Sequence, residues 1–223
     1  MKKGWIFILI GCMIFNISAM SQKTTKEKVT KFVIHTSYGD MKGYLYNETP
    51  QHRDNFAKLV KEGFFNDLLF HRVISGFMIQ GGDPNSRNAK PGIALGSGGP
   101  GYTVPAEFNN TLIHKKGALA AARQADEVNP KKASSGSQFY IVQGKTYSEG
   151  QLNGMASQMG LTYTNAQKEA YATLGGTPFL DMNYTVFGEI TDGLDVIDKI
   201  SAVQKGAGDR PVQDLKMTVE LID

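Results

Sequence analysis

Residues 70 to 84 read FHRVISGFMIQGGDP, which places an imidazole, a guanidinium, a thioether, two phenyl rings and a carboxamide within one short stretch. The side chains that could do chemistry there are His71, Arg72, Phe77, Met78 and Gln80. No pair of carboxylates is present for acid–base work, and no activated nucleophile. What the stretch offers is polar groups of fixed shape beside apolar surface. A guanidinium stays charged at any working pH, so neither it nor the carboxamide is an acid or base for proton transfer.

Other chemistries are poorly served. Cys12 is the only cysteine, and the four histidines, His35, His52, His71 and His114, show no paired spacing on one helix; neither zinc nor thiol chemistry is indicated. GSGGPG, residues 96 to 101, superficially resembles a phosphate-binding loop, but no clear strand precedes it and Pro100 interrupts it, so it reads as a surface loop. No glycine-x-serine-x-glycine elbow occurs after residue 21, which argues against a serine hydrolase of that type.

The elements that must hold these residues follow from pattern. KFVIHTSYGDMKGYLY alternates around YGDM and predicts a two-stranded hairpin. ETPQHRDNFAKLVKEG predicts a helix with Thr49 as N-cap, Pro50 in the first turn, Phe56, Leu59 and Val60 on the apolar face, and Gly63 as the stop. Short strand-like runs then follow, LLFHRVI, FMIQG, GALAAA, SQFYIVQ and YTVFGEI, before a helix, DGLDVIDKIS, and a last strand, LKMTVELI. Many short strands with two distant helices predict a mainly β fold, a closed antiparallel barrel capped by the two helices. Residues 148 to 176 break this rhythm. They predict an inserted helical hairpin, around Gln151 to Met159 and Asn165 to Leu174, with Leu152, Met155, Met159, Tyr171 and Leu174 packing it onto the barrel.

Composition suits a single globular domain with many turns: 41% hydrophobic, 20% charged, 25 glycines. Residues 1–21 stand apart. MKK, GWIFILIGCMIFNI and SAMS have the order of a signal peptide cleaved after Ser21, too short and wrongly flanked for a membrane span. The alternative is LIGC, which resembles a lipoprotein signal with Cys12 as the anchor. Residues 22–30 are a polar lead-in and 31–223 the domain. Removing Lys2 and Lys3 leaves 22 basic against 21 acidic residues, a net +1 with no dense basic run, which gives no electrostatic case for nucleic acid. An exported chain without further cysteines must rely on its core alone. No extended apolar stripe lies beyond the expected core, so a monomer is expected.

FHRVISGFMIQGGD resembles the signature of the cyclophilin-type peptidyl-prolyl isomerases, and the resemblance continues through GALAAAR, SGSQFYI and FLDMNYTVFGEI, over roughly Lys31 to Asp223. It implies an eight-stranded closed antiparallel barrel with two capping helices, rotation about X-Pro bonds, proline-containing polypeptides as substrates, and no metal, nucleotide or redox cofactor. By resemblance Arg72 is the catalytic arginine, Gln80 holds the substrate backbone, and Phe77, Met78 and Leu180 line the proline pocket. Ala122 and Gln138 lie along the groove, and His71 is a structural or contact residue. Three positions depart from many members. Tyr140 replaces phenylalanine and adds a hydroxyl that needs a partner. Phe179 replaces the tryptophan that helps bind cyclosporin, so weak cyclosporin affinity is expected. Tyr184 stands where eukaryotic members often have histidine, as in bacterial members. A bacterial, periplasmic isomerase aiding exported proteins is the reading; a pure binding module or holdase that keeps the groove is its rival.

Overall fold

In the computed structural model the expected hairpin is formed by β1 (Thr30–Thr36) and β2 (Gly39–Leu45), paired from Thr30 opposite Leu45 to Thr36 opposite Gly39. Met1 and residues 29–222 are described; the signal segment beyond Met1 and most of the polar lead-in lie outside them. The chain continues through α1 (Pro50–Lys61), β3 (Leu68–Leu69), β4 (Arg72–Ile74), β5 (Met78–Gly81), β6 (Thr103–Val104), β7 (Ala118–Ala121), β8 (Ser134–Ser135) and β9 (Phe139–Val142). Then come α2 (Glu149–Met159), α3 (Asn165–Thr173), β10 (Val186–Asp192), α4 (Leu194–Ser201) and β11 (Lys216–Ile222).

Nine strands form one antiparallel sheet in the order β3-β11-β1-β2-β10-β7-β9-β5-β4, while β6 and β8 pair separately. The expectation of a closed, eight-stranded barrel is therefore corrected: the sheet is curled but open, and it has nine strands. The reason lies in the run LLFHRVI, read as one strand. It divides into β3, which pairs with β11, and β4, which pairs with β5. Phe70 and His71 span the gap, so the two edges of the sheet are consecutive in the chain yet share no ladder.

One face of the sheet curls around a core built from Phe32, Phe70, Ile79, Leu119, Phe139, Ile141 and Phe187. The α1 helix covers it with His52, Phe56, Leu59 and Val60, all buried at the spacing of one helical face. Phe56 meets Phe139 edge-on, with ring centroids 5.6 Å apart, the arrangement that aromatic quadrupoles favour. Thr49 does occupy the N-cap, but its side chain makes no capping bond. Glu107 does that work from a distant loop, accepting from the backbone N–H of Gln51 at 3.0 Å and of His52 at 2.9 Å. A carboxylate at a helix N-terminus satisfies orphan donors and complements the dipole.

The helical hairpin forms as α2 and α3. Capping boxes start both helices, Ser148 with Gln151 and Thr164 with Gln167, and Gly160 in the left-handed region ends α2. Of the residues expected to pack it down, Leu152 and Tyr171 are fully buried and Met155 joins their cluster. Leu174 instead is 46% exposed.

Candidate active site

Register brings the motif together. Arg72 lies opposite Gln80 in the β4–β5 pair, Gln80 opposite Tyr140 in β5–β9, and Tyr140 opposite Ala120 in β7–β9. Since side chains on a strand alternate between faces, this row and its neighbours two residues away share the face opposite the main core. There Met78, Ala118, Ala120, Tyr140, Val142 and Val186 form a second apolar cluster, flanked by Ile74, Phe77, Leu112, Ala122, Leu180 and Tyr184. The intervening residues Val73, Ile79, Leu119, Phe139 and Ile141 point into the main core.

The polar groups are held by one another. Arg72 Nη1 donates to Gln80 Oε1 at 3.2 Å, Gln80 Nε2 to Gln138 Oε1 at 3.1 Å, and Gln138 Nε2 to the carbonyls of Gly96 at 2.9 Å and Gly98 at 2.7 Å. A relay thus runs from the guanidinium to the GSGGPG loop, which serves the groove as its anchor. Arg72 and Gln80 are part-exposed, whereas Met78, Gln138 and Tyr140 are buried.

A cavity of about 830 Å³ opens over this face. Of the residues singled out from sequence, His71, Arg72, Phe77, Met78, Gln80, Ala122, Tyr140, Leu180 and Tyr184 line it. Gln138 sits behind Gln80, and Phe179 stands at the rim, 47% exposed, its ring centroid 5.8 Å from that of Phe77. His71 is buried, and among the described residues no side chain bonds either ring nitrogen; the Leu69 backbone is the one hydrogen-bonding group that acts on the ring. Burial therefore lowers its affinity for a proton, against the pull of Asp83.

Sequence reasoning missed part of the lining. The cavity continues past His71 between segments 91–96 and 206–214. Arg210 ties these segments together, donating to the carbonyls of Ala89, Lys90 and Ile93 and to Asp214. Arg123 was also missed: its guanidinium lies 4.5 Å from the centre of the Tyr184 ring and donates to Asn183 O at 2.8 Å, so a cation–π contact helps set that wall. Each arginine has a local carboxylate partner, Asp126 for Arg123 and Asp214 for Arg210, but the carbonyls by which Arg210 joins the two segments and the Tyr184 ring under Arg123 lie far away in sequence, so no local pattern marks their place at the groove.

A serine, a histidine and an acid do line up elsewhere. Ser134 Oγ is 2.9 Å from His52 Nε2, and His52 Nδ1 is 2.6 Å from Glu107 Oε2. Ser134 is 1% exposed and lies outside the groove, so no substrate reaches it. The array fastens α1 to β8. Burial lowers the His52 pKa against the pull of Glu107; for Glu107 the opposing effect of burial is outweighed by bonds from His52 and Gln51, leaving its pKa lowered as well. A neutral imidazole donating to a carboxylate accounts for both.

A curled antiparallel sheet that carries an arginine–glutamine pair beside an apolar pocket, with helices at its ends, defines a cyclophilin-like protein. The comparisons agree. Residues 31–220 match the model of the family described as cyclophilin type peptidyl-prolyl cis-trans isomerase/CLD. A Staphylococcus epidermidis protein is 36% identical over 205 residues, covering 90% of this chain and 94% of its own, and bears a provisional name as a peptidyl-prolyl cis-trans isomerase. A Staphylococcus saprophyticus relative, named likewise, is 34% identical over 198 residues, or 86% of this chain and 92% of its own. Among solved structures, a cyclophilin type peptidyl-prolyl cis-trans isomerase of Cryptosporidium parvum superposes with a TM-score of 0.63 at 23% identity, covering 88% of this chain and 99% of that one. A second structure of that isomerase, determined in the presence of the dipeptide Ala-Pro, gives a TM-score of 0.61 at 23% identity, over 86% and 99%. The chain belongs to the cyclophilin type peptidyl-prolyl cis-trans isomerase family.

Proposed function

We propose that this isomerase rotates X-Pro peptide bonds in exported polypeptides of a bacterium, with Arg72 as the catalytic residue. The observation that carries the reading is the pairing of Arg72 with Gln80 at the edge of an apolar pocket. Rotation about a peptide bond must break resonance worth about 18–20 kcal/mol, and the uncatalysed X-Pro step takes roughly tens to hundreds of seconds. In the rotated state the nitrogen lone pair no longer delocalises into the carbonyl. A donor fixed toward that nitrogen is then worth more than in either ground state, which is the condition for catalysis. Gln80 holds the substrate backbone still while Phe77, Met78, Leu180 and Tyr140 receive the proline ring, a group with no N–H to satisfy. No proton moves and no covalent intermediate forms.

Export rests on the sequence of residues 1–21: cleavage after Ser21 releases a periplasmic, monomeric domain that speeds slow proline steps in folding. Mass spectrometry of the protein's N-terminus distinguishes this from an acylated Cys12.

The test of the chemistry is catalysed isomerisation of a short X-Pro peptide, side by side with Arg72→Ala. The wild type accelerates the exchange, and the variant loses about 100- to 1000-fold in kcat/KM, the usual cost of a lost transition-state donor. A folded wild type that binds the peptide without accelerating its isomerisation would make the chain a binding module instead.

A further inference from the structure

Asp181 is 3% exposed, and a carboxylate so buried persists only when its oxygens are saturated with donors. Four reach it. Oδ1 accepts from the backbone N–H of His114 at 2.8 Å and from its Nδ1 at 2.7 Å; Oδ2 accepts from the hydroxyls of Tyr163 at 2.8 Å and Tyr171 at 2.5 Å. With Nδ1 turned to Asp181, the other ring nitrogen of His114 is left to the Tyr140 hydroxyl, 3.0 Å away. The two share a hydrogen bond, and burial, which pushes the Tyr140 phenol pKa well up, keeps its hydroxyl protonated.

Two ends of this chain of bonds matter. Tyr140 is part of the apolar floor of the groove, and spending its hydroxyl on His114 leaves ring surface toward the cavity. Asp181 directly follows the turn Pro178–Leu180, which carries Phe179 at the rim and Leu180 in the lining. Tyr163 and Tyr171 come from the helical insertion, whose apolar residues Leu152 and Ala156 cluster with both tyrosines and with Ile113, the neighbour of His114. The Tyr163 hydroxyl oxygen also lies 3.3 Å from Pro178 O. The insertion thus grips two walls of the groove, yet none of its residues lines the cavity.

We propose that the helical insertion is a buttress for the proline pocket, and that Tyr163, Tyr171, Asp181 and His114 are positioning residues that set its affinity for the proline side of the substrate. This rests on reading the groove as the proline site. Loss of the tyrosine hydroxyls leaves a buried carboxylate half satisfied. Its neighbours must then shift, which loosens Leu180 on one side and turns the Tyr140 hydroxyl toward the groove on the other.

The experiment is Tyr163→Phe/Tyr171→Phe, which removes two donors and keeps both rings in their packing. Dissociation constants for an X-Pro peptide, by NMR titration, are measured with kcat and KM, in the wild-type and Tyr140→Phe backgrounds. In the wild-type background, peptide affinity falls about three- to tenfold, the scale of coupling through packed networks, and KM rises with it while kcat changes less. In the Tyr140→Phe background the loss is smaller, because no hydroxyl remains to misdirect; such non-additivity marks coupling, where mere destabilisation adds. Unchanged peptide affinity in a folded double variant, or an equal loss in both backgrounds, overturns the proposal. Should the double variant not fold, Tyr163→Phe alone, at the less buried of the two tyrosines, is read in the same way. A wild type that binds the peptide without turning it over sinks the catalytic reading alone, since affinity still tests the buttress.

Discussion

Arg72 and Gln80 face each other across the β4–β5 pair, and the guanidinium donates to the carboxamide oxygen at 3.2 Å. The same carboxamide donates onward to Gln138, so Gln80 is the middle of a relay as well as a groove residue. Gln80→Ala is expected to lower kcat/KM for an X-Pro peptide about tenfold, the scale of one charge-assisted hydrogen bond, because Arg72 loses the contact that aims it. Arg72→Lys is expected to recover little of the activity lost in Arg72→Ala. An ammonium cannot present the planar fork that bonds Gln80 and a second atom together. NMR exchange rates on folded variants check both, and a fully active Arg72→Lys would show that charge alone suffices.

Phe179 stands at the rim against Phe77, nearly half exposed. By the family resemblance Phe179 stands where many members carry a tryptophan that helps bind cyclosporin, so the wild type, lacking an indole N–H there, is expected to bind that peptide weakly. The open rim leaves room for a larger ring. Phe179→Trp is expected to tighten binding about tenfold, the worth of one added hydrogen bond with some apolar area. Calorimetry on the two proteins decides it; nanomolar binding by the wild type would remove Phe179 as the cause.

The core of the candidate site was legible in the sequence because it is local. Arg72, Phe77, Met78 and Gln80 fall within nine residues, and strand alternation with one tight turn sets them on one face. The fold was less so. The hairpin, the helices and the strand runs followed from periodicity, whereas the split of LLFHRVI did not, since an unbroken apolar run gives no sign that its halves pair with different partners. The N-cap position of α1 was readable, but its real capping group, Glu107, lies 55 residues from His52. Tyr140 was seen to need a partner; that the partner would be His114, itself held by Asp181, depends on a meeting of three distant segments.

The two glycines of QGGD have separate causes. A Cβ on Gly81 would lie 2.3 Å from Met217 Cε, and one on Gly82 would lie 2.2 Å from the carbonyl oxygen of Ser137, with Gly82 also at φ +85°. Gly82→Ala therefore meets both a backbone clash and a left-handed conformation, and a loss of roughly 2–4 kcal/mol is expected. Gly76→Ala is the control, with φ +73° but nothing within 4 Å of the added carbon; about 1 kcal/mol is expected from conformation alone. Urea midpoints at constant slope measure the two. Equal losses would mean that the β5 turn relaxes away from Ser137.

Acid should weaken the fold in two steps. His52 and His71 both hold pKa values below their ordinary 6.5, chiefly through burial. Between 6.5 and those lower values the unfolded chain binds protons that the folded chain refuses, so stability is full above about pH 6.5 and falls as pH drops below it. Glu107, lowered from 4.5 by the His52 and Gln51 bonds that outweigh its burial, adds a second loss as pH falls below about 4.5 toward its folded value. Unfolding free energies at pH 7.5, 6.5, 5.5 and 4.0 should show a plateau and then a decline. His71→Gln is expected to flatten the first step without breaking a side-chain hydrogen bond, since no side chain among the described residues bonds its ring. Stability that rises between pH 7.5 and 5.5 would mean that these imidazoles are charged inside the fold, and the neutral His52 that donates to Glu107 would have to be given up.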